Sequence, residues 1–142
     1  MNINNSLSHR KQEPESGVLY VVGTPIGNLS DLSPRAIHIL KNVFQIACED
    51  TRITKKIMNK FEIKTRQTSF NKNNHREKIP QIICKLKEGK TIALVSDAGM
   101  PSICDPGEEL IKESRNNGLE IICIPGPCAA ITALVSSGLP SS

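Results

Sequence analysis

Tryptophan is absent and the aromatics amount to one Tyr and three Phe. The core must therefore be aliphatic, and recognition of nucleic acid by stacked aromatic side chains has almost no material to work with. No run approaches the ~20 apolar residues needed to cross a bilayer. The polar segment Met1–Ser16 lacks the apolar stretch of a secretory signal, so a cytoplasmic protein with no membrane partner is expected. The five cysteines, Cys48, Cys84, Cys104, Cys123 and Cys128, form no Cys-x-x-Cys pair, and the three His residues complete no ligand set. We therefore expect reduced thiols and no metal site. His38 and His75 have no Ser or Cys partner at a spacing that suggests nucleophilic catalysis.

The net charge of +4 is unremarkable until it is mapped. Between Thr51 and Lys90 stand 12 Lys/Arg against 3 Asp/Glu, a local net of +9, while the remainder carries 6 against 11, a net of −5. Such asymmetry suggests a polyanion meeting one face. A Lys- and Asn-rich composition with solvated helix faces reads equally well.

Met1–Ser16, polar and without periodicity, reads as a disordered tail. From Gly17 the chain alternates short apolar runs with helical patterns. Strands are expected at Val18–Val22, Val43–Cys48, Thr91–Val95 and Leu119–Ile124, with a weaker one near Gln67–Phe70. Helices are expected after Ser33-Pro34, from Thr51 to about Lys60, from about Asn74 to Glu88, from Glu108 to Asn117, and from about Cys128 to Ser137. Pro80 must sit in the first turn of its helix or kink it. The unbroken apolar run Thr91–Val95 argues burial on both sides of a sheet. The fold class is α/β, a mostly parallel doubly wound sheet with right-handed crossovers.

In that architecture ligands bind outside the carboxyl ends of the strands. The Gly, Pro and acidic clusters all fall there: Gly23-Thr24-Pro25-Ile26-Gly27-Asn28, Glu49-Asp50-Thr51-Arg52, Ser96-Asp97-Ala98-Gly99 and Pro125-Gly126-Pro127. The first loop allows close backbone approach, but no Gly-Lys-Ser/Thr follows, which disfavours phosphate binding. Taken alone it is also a plain β-to-α turn. Asp97 beside Ala98 and Gly99 makes an edge suited to hydroxyls or a cationic group. Asp105 reads more simply as a cap for the helix at Pro106. Glu49, Asp50 and Arg52 form either a favourable helix start or a substrate-facing cluster.

These motifs, in this order and spacing and with Ser33-Pro34-Arg35-Ala36, Asp105-Pro106-Gly107 and Cys128-Ala129-Ala130, resemble the tetrapyrrole-methylase-like superfamily. Within it they are most similar to the 16S ribosomal RNA 2′-O-ribose cytidine methyltransferases. The resemblance runs from about Gly17 to Pro140. It departs at Met100, where the family usually has Thr, and at Cys104, where it usually has Ser.

The resemblance implies S-adenosylmethionine held between two domains. Pro25, Ile26, Asp97, Ala98, Gly99, Ser102, Cys128 and Ala129 would line its site, and Glu49, Asp50 and Arg52 would face the substrate. The implied substrate is 16S rRNA in the small ribosomal subunit, and the implied full-length protein is a homodimer. Residues 17–125 would form the amino-terminal domain, and 126–142 a linker and the first helix of a second domain that is missing. The implied reaction is in-line attack of a ribose 2′-hydroxyl on the sulfonium methyl. Glu49, Asp50 or Asp97 is available as a weak base, and nothing in the sequence chooses among them. Two other readings stand beside this one. A tetrapyrrole methylase is disfavoured by the forms of the acidic motifs and the basic stretch, and an inactive RNA-binding fragment would lack part of the cleft.

Overall fold

Four-residue apolar strands separated by amphipathic helices leave one economical arrangement, a parallel sheet with helices on both sides. The computed structural model describes residues 13–102 and 106–142. It contains β1 (Leu19–Val22), α1 (Pro34–Asn42), β2 (Gln45–Cys48), α2 (Thr51–Lys60), β3 (Gln67–Ser69), α3 (His75–Lys87), β4 (Ile92–Val95), α4 (Gly107–Asn116), β5 (Ile121–Ile124) and α5 (Ala129–Ser137). The sheet order is β3-β2-β4-β1-β5 and every pairing is parallel. Residues 1–12 of the expected tail, together with Cys104 and Asp105, lie outside the described residues. Glu13–Ser16 are held in place: Arg35 Nε donates to Glu13 Oε2 at 2.9 Å, and Ser16 Oγ donates to the Gly89 carbonyl at 2.9 Å.

The central strand β4 is buried throughout, as its unbroken apolar run requires. Side-chain alternation divides the core into two layers. On one side Tyr20, Val22, Ile46 and Val95 pack against Ala36, Ile39 and Leu40 of α1 and Ile57 and Met58 of α2. On the other, Leu19, Ala47, Ile92 and Leu94 pack against Ile79, Ile82, Ile83 and Leu86 of α3 and Leu110 of α4. Ser33 caps α1 as its sequence predicts, its Oγ accepting from the Ala36 N–H at 3.0 Å with Pro34 first in the helix. Pro80 lies in the interior of α3 rather than in its first turn. It is exposed, so the Arg76 carbonyl left without an N–H partner can face water.

One expectation needs correcting. The basic segment does not gather on one face, because α2 and α3 lie on opposite sides of the sheet. Its charges wrap around the edge strand β3. On α2 the exposed stripe is Arg52, Lys55, Lys56 and Lys60, opposite the buried Thr54, Ile57 and Met58. Helix α5 differs from the others: it has no buried residue, and Ile131, Val135 and Leu139 beyond it are 59%, 77% and 66% exposed. Among the described residues, no helix is long and apolar enough to cross a membrane.

Candidate functional site

The loops leaving β1, β4 and β5 are joined into one rim. Thr24 and Gly99 form an isolated antiparallel bridge, with the Thr24 N–H donating to the Gly99 carbonyl at 2.9 Å and the Gly99 N–H returning to Thr24 at 3.0 Å. The buried Thr24 hydroxyl also donates to the carbonyls of Ser96 and Gly99, at 3.3 and 3.4 Å. On the other side of β1, the Gly23 N–H reaches the Ile124 carbonyl at 3.3 Å. Gly23 and Gly126 approach so closely that a Cβ on Gly23 would stand 2.7 Å from the Gly126 Cα and 2.6 Å from Met100 Sδ. Glycine is required here for space. At Gly99 it is required for conformation, because φ is +80°.

Pro25, Asp97 and Cys128, the three residues most diagnostic of a shared border, therefore sit on loops that touch. A Cβ built on Gly99 would be 3.5 Å from both Ile26 Cγ2 and the Pro127 carbonyl, which places the tips of all three loops together. Pro25 is buried, Ile26 and Ala98 are exposed, and Asp97 and Cys128 are half-buried. Ser102, within the β4–α4 loop, has φ of +69°, a costly conformation for a non-glycine residue. Ala129 opens α5 and is exposed.

The β2–α2 turn joins the rim from the opposite side. Asp97 Oδ1 accepts a hydrogen bond from the Asp50 N–H at 3.0 Å. Asp50 is the N-cap of α2, its Oδ1 accepting from the Arg52 N–H at 2.9 Å, and the Arg52 guanidinium folds back onto the same carboxylate at 2.8 Å. That guanidinium, followed by the backbone N–H groups of the cap, holds the Asp50 carboxyl down at about 2. An acid so strong is a poor proton acceptor at neutral pH.

A cleft of about 580 Å³ opens here, lined by Glu49, Asp50, Arg52, Asp97, Ser69 at the end of β3, and the β3–α3 loop residues Asn71, Lys72 and Asn73. Sequence reasoning missed that last group. The signal available was the polar run Asn71-Lys72-Asn73-Asn74 immediately after a weak strand. Reasoning from sequence also passed over Thr24, which does more to fasten the rim than its neighbours in the motif.

Burial raises the Cys48 thiol to about 11, so it is protonated and inert at neutral pH. Cys84 and Cys123 are exposed free thiols. Among the described residues no group of three His, Cys, Asp or Glu could hold a metal ion. A second hollow of about 640 Å³, between α3 and α4, is lined by Ile79, Pro80, Ile83, Glu109 and Glu113 among others, and no rim residue contributes to it.

The titration of Asp50 gives a first prediction. Its folded value of about 2 lies below the roughly 3.9 of an unfolded aspartate. The capped turn therefore stabilises the fold above pH ~4, and that contribution is lost as pH falls through about 2. A carbon-13 carboxyl titration should give a midpoint near 2 in the wild type and a higher one in Arg52→Ala. A wild-type midpoint near 4 would show that the Arg52 contact does not persist in solution.

Residues 18–142 match the family described as Tetrapyrrole (Corrin/Porphyrin) Methylases. The chain is 52% identical over 131 residues to the ribosomal RNA small subunit methyltransferase I of Halalkalibacterium halodurans, covering 92% of this chain and 45% of that protein. It is 47% identical to the protein of the same name from Escherichia coli O157:H7, covering 94% and 46%. It thus spans about half the length of these curated relatives. The uroporphyrin-III-C-methyltransferase of Thermus thermophilus shares the fold, with a TM-score of 0.66 at 22% identity over 89% of this chain and 54% of that one.

Proposed function

Because the chain belongs to the tetrapyrrole (corrin/porphyrin) methylase family, we propose that it forms the cofactor-binding half of an S-adenosylmethionine-dependent methyltransferase acting on a cytidine ribose 2′-hydroxyl of 16S rRNA. The observation that carries this reading is the junction of Thr24, Gly99 and Gly126 on one border of the sheet. When bound, S-adenosylmethionine supplies an electrophilic methyl group on a sulfonium.

The residues of the rim suit that molecule. Asp97 offers a carboxylate to ribose hydroxyls or to the amino group, the exposed Ile26 offers an apolar surface to the adenine, and Gly99 puts no side chain where the three loops meet. Pro25, Ala98, Ser102, Cys128 and Ala129 complete the lining. Glu49, Asp50 and Arg52 face the RNA across the cleft. The 2′-hydroxyl proton passes to a carboxylate, and Glu49 and Asp97 both line that space while Asp50 is too acidic to serve. Positioning of the reacting oxygen supplies most of the rate. The phosphates lie along the exposed basic stripe of α2, Arg52, Lys55, Lys56 and Lys60.

In this reading residues 126–142 begin a second domain, for which the uncovered α5 is the support. The full-length protein is a cytoplasmic homodimer that works on the small ribosomal subunit. Residues 17–142 by themselves turn over weakly or not at all and self-associate through α5.

The test supplies radiolabelled methyl donor together with small ribosomal subunits lacking the mark or, separately, uroporphyrinogen. It uses both this chain and a fusion of it to the carboxyl half of the Escherichia coli relative. Label in a cytidine ribose, strong with the fusion and faint with the chain alone, is the expected result. Label in the tetrapyrrole would transfer the assignment to small-molecule methylation. Full turnover by the chain alone would refute the incomplete cleft.

A further inference from the structure

The connection between the two sides of the rim passes through a side chain rather than through the sheet ladder. The β2–β4 pairing ends with Cys48 opposite Val95. Beyond that pair, Asp97 continues the contact by accepting the Asp50 N–H at 3.0 Å, across 47 residues of sequence. Asp50 in turn fixes the first turn of α2 through the Arg52 N–H and guanidinium. On its other flank the same β4–α4 loop is fastened to β1 by the Thr24–Gly99 bridge, which uses backbone groups and does not involve the Asp97 carboxylate. Asp97 is thus a joint between two loops that are each anchored independently.

We propose that Asp97 is a positioning residue that makes the cofactor edge and the Asp50–Arg52 turn move as one unit, so that a ligand held at one loop is registered at the other. This rests on the reading above that the β4–α4 loop holds the cofactor and the β2–α2 turn faces the substrate. The coupling is reciprocal, since whatever a bound cofactor does for RNA affinity through this joint, RNA must do for cofactor affinity. The acceptor matters more than the charge. Asparagine keeps an oxygen at the same position, whereas alanine leaves the Asp50 N–H to solvent.

The experiment follows backbone amides of nitrogen-15-labelled protein during titration with S-adenosylhomocysteine to millimolar concentration. In the wild type the ligand should shift amides in the β1 and β4 loops and also those of Asp50, Arg52 and Ile53. In Asp97→Ala the ligand-free exchange of the Asp50 amide should quicken on the order of tenfold, and the ligand response at residues 50–53 should disappear. Asp97→Asn should restore both. The buried amides of Ala93 and Leu94 report that the sheet is intact in each variant.

Wild-type exchange at Asp50 in Asp97→Ala would overturn the joint, as would an undiminished response at residues 50–53, and either result leaves the cofactor reading standing. Should Asp97→Ala no longer bind the ligand, the ligand-free exchange rate decides alone. If the ligand shifts no rim amide in the wild type, the cofactor reading and the joint fall together.

Discussion

Gly23→Ala is expected to abolish measurable binding of S-adenosylhomocysteine while leaving the sheet folded. The added methyl would meet the Gly126 Cα at 2.7 Å and Met100 Sδ at 2.6 Å, separations that real Cβ contacts essentially never show. The sulfur ends a flexible side chain and can swing away. Gly126 is backbone, held beside the rigid β1–β5 ladder that runs to Ile124, and cannot. The β1 and β5 loops must therefore separate, opening the border between Pro25 and Cys128. Overpacking of this kind destabilises by about 1–3 kcal/mol. The loss in ligand affinity should be about tenfold or more, the equivalent of 1.4 kcal/mol of displaced contact. Adding Met100→Ala tells the two clashes apart. The double variant relieves only the sulfur and should stay defective. Recovery of binding would show that Met100, rather than the Gly23–Gly126 contact, controls the width of the site. Wild-type affinity in Gly23→Ala would mean that the rim does not hold the ligand.

The second large effect concerns the outer stripe of α2. Lys55, Lys56 and Lys60 are exposed at positions 55, 56 and 60 of one helix, on the side away from the buried Ile57 and Met58. Replacing all three with alanine removes three positive charges without touching the core, so stability should change by less than about 0.5 kcal/mol per site. If these lysines meet RNA phosphates, affinity for ribosomal RNA at low salt should fall on the order of a hundredfold. The slope of log affinity against log salt should flatten by about 2 to 3, each lost phosphate contact contributing about 0.7 to 0.9. The slope distinguishes this from an indirect effect, because a distorted binding surface lowers affinity without releasing fewer counterions. Unchanged affinity and slope would return α2 to the ordinary class of solvated helix faces.

Much of this molecule can be read from its residues, for identifiable reasons. Ser33-Pro34 marks a helix start because a hydroxyl acceptor followed by a residue lacking an N–H satisfies the first turn, and the Ser33–Ala36 hydrogen bond realises it. Thr91–Val95 reads as a central strand because only burial on both faces tolerates an unbroken apolar run, and β4 lies mid-sheet. Strand β3 reads weakly because it is a three-residue edge strand with half-buried Gln67, Thr68 and Ser69, which leave little alternation to detect.

The rim was legible only as a convergence of carboxyl-end loops. Which loops touch depends on the sheet order, and no local pattern encodes that β4 lies between β2 and β1. The Thr24–Gly99 bridge and the Asp97–Asp50 hydrogen bond were invisible for that reason, each spanning dozens of residues. The basic segment misled for a related one. Thr51–Lys90 is continuous in sequence, but it crosses from one side of the sheet to the other between α2 and α3.

If the joined loops form the cofactor's side of a cleft, a bound cofactor must lie against all three of them. The most direct measurement is photocrosslinking with a light-activated S-adenosylmethionine analogue at millimolar concentration, followed by peptide mapping. Labelling should concentrate in the segments around Thr24–Gly27, Asp97–Ser102 and Pro127–Ala129, compete with unmodified S-adenosylmethionine, and disappear in Gly23→Ala. Labelling that competes equally well but falls in the hollow between α3 and α4, at Ile79, Ile83 or Glu113, would contradict it.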